Sequence, residues 1–463
     1  MSAPGETPLE RAERALAYTD GDAQVAVTHE RSLLSRFARS APTQATEVET
    51  VHVQFTCVRD GHVGTATTTA GDDDGLRTGA ARAAAAAGVA AARGPAGAFP
   101  GLPEPGPAPR AHQGCDPATA RLDPHDAGAA LSAAFMAAEA NDLEAFGVWS
   151  AGAVRTAVAS SSGIRVHDAV TDAFMKVICR DPDGRAGFAS GAGARAADVD
   201  PAAVAARAAE GAAALRAAEP VTLASGEYPV VLAPEAVGLL LEFLGALAFG
   251  GEAYAEGRSA LNGRLGTRVA APNINLSDSP RFARTLPRAF DAEGVAKNPL
   301  PLIQDGVAHA ICHDTRSAAL AGGAARSTGH AAEPGGSGWG PAPTNLVLIG
   351  GGAADEAELC APIEHGIYVT RLWYVNVAHE RETLLTGMSR DGTFLIEDGK
   401  VTRPLRDVRF TDSALRILAA TEALTQGSRL VCEGEFYGIR HATGVVCPAL
   451  RAQGFRVTGS TVV

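Results

Sequence analysis

The sequence predicts an α+β protein of two domains: an N-terminal mixed sheet with helices, followed by a mostly β C-terminal domain. Three observations lead there. The chain has 463 residues, 46% of them hydrophobic and 20% charged, which is enough for two separate cores. Period-two runs such as Val51, Val53, Phe55 and Cys57 mark half-buried strands, and they alternate with alanine-rich stretches that favour helix. Proline- and glycine-dense segments punctuate both halves. The boundary is placed near residues 220–228, dividing the chain into 1–220 and 221–463.

The elements follow in order. Residues 10–18 read as a helix, and 22–28 and 48–59 as strands. Residues 61–69 form a second hairpin arm after the turn Asp60-Gly61. An alanine-rich helix covers 74–93, and the Pro/Gly-dense segment 94–109 is a surface loop. A helix is expected over 123–141, with Asp123 as N-cap and Pro124 in its first turn. Four strands follow at 144–150, 154–160, 163–171 and 174–179, closed by the turn from Asp181 to Gly184. Residues 201–218 form a proline-initiated helix. The second half opens with a strand, 229–232, and a helix, 234–247, stopped by Gly250-Gly251. Strands and loops make up the remainder, with a Gly/Pro-rich stretch over 322–343.

Charge and cysteine usage exclude several function classes. A net charge of −12 with no Lys/Arg-rich run disfavours nucleic acid and anionic membrane surfaces, because both are bound through cationic side chains. Seven cysteines without a C-x-x-C pair argue against a disulfide framework. Residues 1–28 lack an apolar core of the secretory kind. The longest apolar run, 237–249, contains Glu242 and is too short to span a bilayer. The expected location is cytoplasmic.

Several segments of the second half carry a family pattern. They are GGEAYAEGRSALNGRLGTRVAAPNINLSDSP (250–280), ARSTGHAAEPGG (325–336), PAPTNLVLIGG (341–351), HGIYVT (365–370), LLTGMSRDGTFLIEDGKVTRPL (384–405) and CPALRAQGFRVTGS (447–460). In this order they resemble the TldD/TldE (PmbA) family. The resemblance covers roughly the C-terminal half; the N-terminal half agrees only in its pattern of elements. It implies one of two kinds of subunit. TldD-type subunits are zinc peptidases with H-E-x-x-x-H on a helix and a late cysteine as third ligand. TldE/PmbA-type subunits lack that set and pair with a TldD-type subunit. The pair acts on unfolded or precursor peptides.

The resemblance assigns this chain to the TldE/PmbA kind. Laying Val230-Val231-Leu232 on the strand before the metal helix puts the motif on Glu242, Phe243, Leu244, Gly245, Ala246 and Leu247. Both histidines are replaced, and Phe243 stands where the glutamate base would be. Zinc needs three protein donors and an open position, so no catalytic or metal residue is expected on this chain. Glu242, Phe243, Leu247 and Cys432 are then vestigial metal-site positions. Zinc is expected on a TldD-type partner, with no cofactor here.

Along the helix, Val237, Leu240, Leu241, Leu244 and Leu247 form one apolar stripe, and Glu235 and Glu242 share the other side with Gly238 and Gly245. Two readings stay open: a structural helix with a small, partly wet face, or Glu242 lining a substrate channel. Ser327, Thr328, Gly329 and His330 offer hydrogen-bonding groups to an extended peptide and are candidate groove residues, against a purely structural loop. His309 and His313 lie on an expected strand pair over 299–314, too far apart to share one ion. His379-Glu380 lacks the second histidine of a metalloprotease motif, since Thr383 takes its place. Gly350-Gly351-Gly352 precedes acidic residues and reads as a tight strand-to-helix turn.

Overall fold

The first two strands, β1 (Ala23–Ala38) and β2 (Ala41–Arg59), form a long hairpin. Arg39 and Ser40 both take positive φ, 51° and 52°, the two-residue turn whose twist matches paired strands. The computed structural model describes residues 5–93, 95, 97–336, 338, 340–432 and 438–460. β3 (His62–Thr68), β4 (Glu144–Ser160), β5 (Arg165–Arg180) and β6 (Ala186–Gly193) complete a six-stranded sheet in the order β3-β2-β1-β4-β5-β6. This sheet is antiparallel throughout.

Four helices lie on one face of it: α1 (Pro8–Leu16), α2 (Asp73–Arg93), α3 (Asp126–Glu139) and α4 (Pro201–Arg216). Their contact residues are mostly alanine, and they meet odd-numbered strand residues such as Val25, Val27, Leu33, Ala145, Trp149 and Ala157. Small side chains let helix and sheet approach closely. A Cβ on Gly187 of β6 would sit 2.2 Å from the Ala208 carbonyl of α4. The even-numbered residues point to the other face, which packs on the second half of the chain.

The second sheet has eleven strands. They are β7 (Gly226–Leu232), β8 (Leu276–Asp278), β9 (Leu300–Gln304), β10 (Val307–Ala308), β11 (Asn345–Leu348), β12 (His365–His379), β13 (Leu384–Glu397), β14 (Lys400–Pro404), β15 (Val408–Ser413), β16 (Thr421–Val431) and β17 (Gly444–Ser460). β7, β12, β13, β15 and β17 close into a ring, because β17 pairs back onto β7. Parallel pairs, β7 with β12 and β11 with β17, make this sheet mixed. The helices are α5 (Pro234–Phe249), α6 (Gly251–Ala255), α7 (Thr315–Ala321), α8 (Glu356–Cys360) and α9 (Ala414–Ala419). α5 is buried against the largest apolar cluster among the described residues. No helix among the described residues is long and apolar enough to cross a membrane.

The α+β class is therefore the observed one. Strand limits differ from expectation in an informative way. The segments 144–150 and 154–160 are one strand, β4, and 163–171 and 174–179 are one strand, β5. The expected breaks, 151–153 and 172–173, contain Gly152 and Asp172, where the second half docks. Arg440 lies buried there, donating from Nε and Nη2 to the Asp172 carboxylate at 2.7 and 2.6 Å and from Nη1 to Ser150 at 3.0 Å. Its backbone N–H donates to Glu30 at 2.6 Å. Gly152 leaves the room: a Cβ there would lie 2.6 Å from the Arg440 Nε. The helix expected from Asp123 begins at Asp126, and the Asp123 carboxylate instead accepts the His125 N–H in the preceding turn. β6 was not anticipated, because its Ala/Gly/Ser composition carries no strand signal.

Candidate functional site

The strand-to-helix step that carried the sequence argument is β7 to α5. Pro234 occupies the first helical turn, and its carbonyl accepts the Cys447 thiol proton at 3.3 Å. Val237, Leu240, Leu241 and Leu244 are buried in the main cluster; Phe243 and Leu247 are half-buried against it. The glycine side is packed at two points and borders a cleft between them. A Cβ on Gly238 would lie 2.8 Å from Val431 of β16, and one on Gly245 would lie 3.0 Å from Pro343.

Between these contacts α5 borders a cleft of about 360 Å³ at the junction of the two sheets. Glu235, Leu239 and Glu242 form the helix wall, Phe174 and Lys176 of β5 with Phe188 and Ser190 of β6 form another, and Cys432 and His441 close the end. The structure thus brings Glu242 and Cys432 to one cavity, while Phe243 and Leu247 turn toward the core. A phenyl ring and an isobutyl group donate nothing to a metal, so these positions do not fit a zinc centre. Among the described residues, no group of three His, Cys, Asp or Glu side chains is arranged to hold an ion.

Sequence reasoning missed His441. The guanidinium of Arg288 beside it holds its imidazole well below the ordinary range, with desolvation and Lys297 adding to the effect. It is neutral at physiological pH. The signal was available, a histidine close after Cys432, but it lies outside the quoted family motifs. A second recess of about 560 Å³ shares Phe188 and Glu235 with the cleft and extends it along β6. There Tyr368 donates to Glu356 at 2.6 Å, and Arg429 reaches Glu356 at 3.3 Å and Glu235 at 3.6 Å.

Ser327, Thr328, Gly329 and His330 do not line the cleft; they belong to a hydrogen-bonded core beneath it. The His330 Nε2 is 2.9 Å from the Asp278 carboxylate, and its Nδ1 is 2.9 Å from the Thr328 hydroxyl. Burial lowers the His330 pKa, so the neutral ring donates to Asp278 and accepts from Thr328. The ammonium of Lys297, itself 1% exposed, lies 3.1 Å from Asp278 and donates to the Gly329 carbonyl at 3.1 Å. Burial alone would raise the Asp278 carboxyl. Lys297, His330 and the Asn345 N–H outweigh it and hold it below the usual carboxylate range. Thr344, next to Asn345, lines the cleft, so this network braces the floor. His309 is on the surface and His313 is buried against Ser317, so the two do not converge.

Comparison with known proteins bears on the family and the fold. The family model described as the PmbA/TldA metallopeptidase C-terminal domain matches residues 225–459. A metalloprotease TldD homolog of Haemophilus influenzae is 28% identical over 242 residues, covering 50% of this chain and 46% of that protein. A metalloprotease of Methanothermobacter thermautotrophicus is 24% identical over 210 residues, 43% of each chain. The matches thus span less than half the length of these relatives. The crystal structure of TldE from Thermococcus kodakarensis superposes with a TM-score of 0.83 at 19% identity, covering 97% of this chain and 99% of that one, a likeness of fold. With the model spanning the whole ring of strands and α5, the chain belongs to the TldD/TldE (PmbA) family.

Proposed function

We propose that this chain is a TldE/PmbA-type subunit without catalytic zinc, working in a heteromeric complex with a TldD-type subunit that carries H-E-x-x-x-H and the metal. The observation that carries the reading is the pair Phe243 and Leu247, hydrocarbon side chains packed on the core where a zinc site would need a base and a ligand. The substrates are unfolded or precursor peptides. The cleft along β6 completes the substrate groove: β6 is a sheet edge, which suits recognition of an extended peptide through its backbone. Neither nucleic acid nor membrane is a partner.

Co-expression with a zinc-motif subunit tests this. Expected are a stable complex, zinc on the partner only, and peptidase activity that needs both chains. One zinc per monomer on the isolated chain, or activity of the partner unchanged by adding this chain, would sink the idea. A second reading has one observation in its favour, the convergence of Glu242, Cys432 and a neutral His441 on one cleft. It makes the chain a metal-independent enzyme or an intermediate-binding homodimer in a natural-product maturation pathway. Turnover by the purified chain in the presence of chelator would support the enzyme; ligand binding by a symmetric homodimer would support the binder.

A further inference from the structure

The hairpin of β1 and β2 leaves one sheet edge open. β3 pairs with β2 only from Val53 to Arg59, so the outer edge of residues 41–52 has no strand beside it among the described residues. Those residues are mostly exposed. Such an edge is a row of backbone donors and acceptors ready to pair with another chain. Beside it lies a recess of about 390 Å³ between α1 and the hairpin, lined by Arg11, His29, Glu49, Thr50 and Val51 among others.

Charge decides which strand fits. Segment 41–52 carries Glu47 and Glu49 and no lysine or arginine. Both glutamates lie on the helix-bearing face, where Arg31 of β1 donates to Glu47 from Nε and Nη2 at 2.9 and 2.6 Å and His29 lies 3.0 Å from Glu49; their side chains stay 41% and 63% exposed, leaving oxygens open to a further cation. Two copies of this edge related by a two-fold axis pair antiparallel, with same-face residues opposite one another. Registers centred on residues 46 to 50 place Glu47 or Glu49 directly or diagonally against its own copy, which is unfavourable.

We propose that the open edge of β2 is the docking strand for a second, non-identical subunit, which adds an antiparallel strand with cationic side chains facing Glu47 and Glu49. The inference rests on the heteromeric reading above and names its surface. The glutamates select against self-pairing, so the edge is reserved for that partner.

The probe is the chain itself with the charge reversed, Glu47→Lys with Glu49→Lys, studied by sedimentation. Wild type alone and the variant alone are expected to be monomeric at low ionic strength. Their equimolar mixture is expected to dimerise at least tenfold more tightly than either self-association, and to lose that advantage at about 1 M salt, where the Debye length is about 3 Å. Wild type alone shows the opposite sign, self-associating more as salt screens the glutamates, a readout that does not depend on the variant folding. A wild-type dimer at low salt, or a mixture that associates no better than its components, overturns the proposal. Either result leaves complex formation with a zinc-motif subunit open through another surface. Failure of that complex alongside a charge-mixed dimer would instead remove the heteromeric reading and keep the edge.

Discussion

Glu293 is fully buried in a loop against the start of α7, and one of its carboxylate oxygens has no hydrogen-bond partner. Burial, then the neighbouring carboxylates of Asp291 and Asp314, push its pKa up; Thr315 opposes them with two hydrogen bonds to the other oxygen. The folded state therefore keeps a proton that the unfolded chain has lost. The stability this contributes is present below the ordinary carboxylate range and is lost as pH rises through the raised value. Glu293→Gln, which cannot ionise, should flatten that fall. Urea midpoints at about pH 5 and about pH 8 check it: wild type should lose stability between them, and the variant should lose clearly less. At this scale the sequence was partly legible. Glu242 could be placed by laying Val230-Val231-Leu232 on the family's strand, and Cys432 by its distance from Pro448 in the last segment. The role of His330 could not, because the residues that fix it, Asp278 and Lys297, lie 52 and 33 positions away along the chain, and only tertiary packing brings them together.

The element that matters most is α5, and its apolar stripe was plain in the sequence because helical periodicity writes the buried face directly. The opposite side was not, since glycine gives no hint whether its face meets water or a neighbour. Here it meets Val431 and Pro343. Two substitutions separate the roles of the faces. Leu244→Ala in the core should cost about 2–5 kcal/mol by cavity formation. Gly238→Ala should cost about 1–3 kcal/mol by overpacking, pushing β16 away from the helix and reshaping the cleft. Chemical denaturation measures both. A Gly238→Ala variant as stable as wild type would mean that β16 yields freely. The same limit of legibility explains the strands. β4 and β5 look broken wherever polar or small residues interrupt the alternation, and those interruptions are the Arg440 socket.

At the scale of the molecule, that socket fastens the two sheets together. Asp172, Ser150 and Glu30 of the first sheet all bind Arg440, and the Arg440 side chain is 1% exposed. Arg440→Ala leaves a buried carboxylate unpaired, a loss of about 3–5 kcal/mol. Differential scanning calorimetry should show the melting transition lowered, with the two halves tending to unfold separately. A single transition at the wild-type temperature would show that other contacts carry the junction. The division into an N-terminal helix-covered sheet and a β-rich second half was readable from composition and period. The fastening was not, because one arginine in an irregular stretch has no pattern of its own.

The socket also sets an order of events during synthesis. Asp172 leaves the ribosome 268 residues before the arginine that neutralises it. Through that interval the first sheet has a carboxylate in a site built for an ion pair, beside the gap left by Gly152. β17, which joins β7, β11, β15 and β16, emerges directly after Arg440. The same short stretch of chain therefore completes both halves at nearly the same moment, and a nascent chain stalled before it would have neither its first sheet charge-balanced nor its second closed.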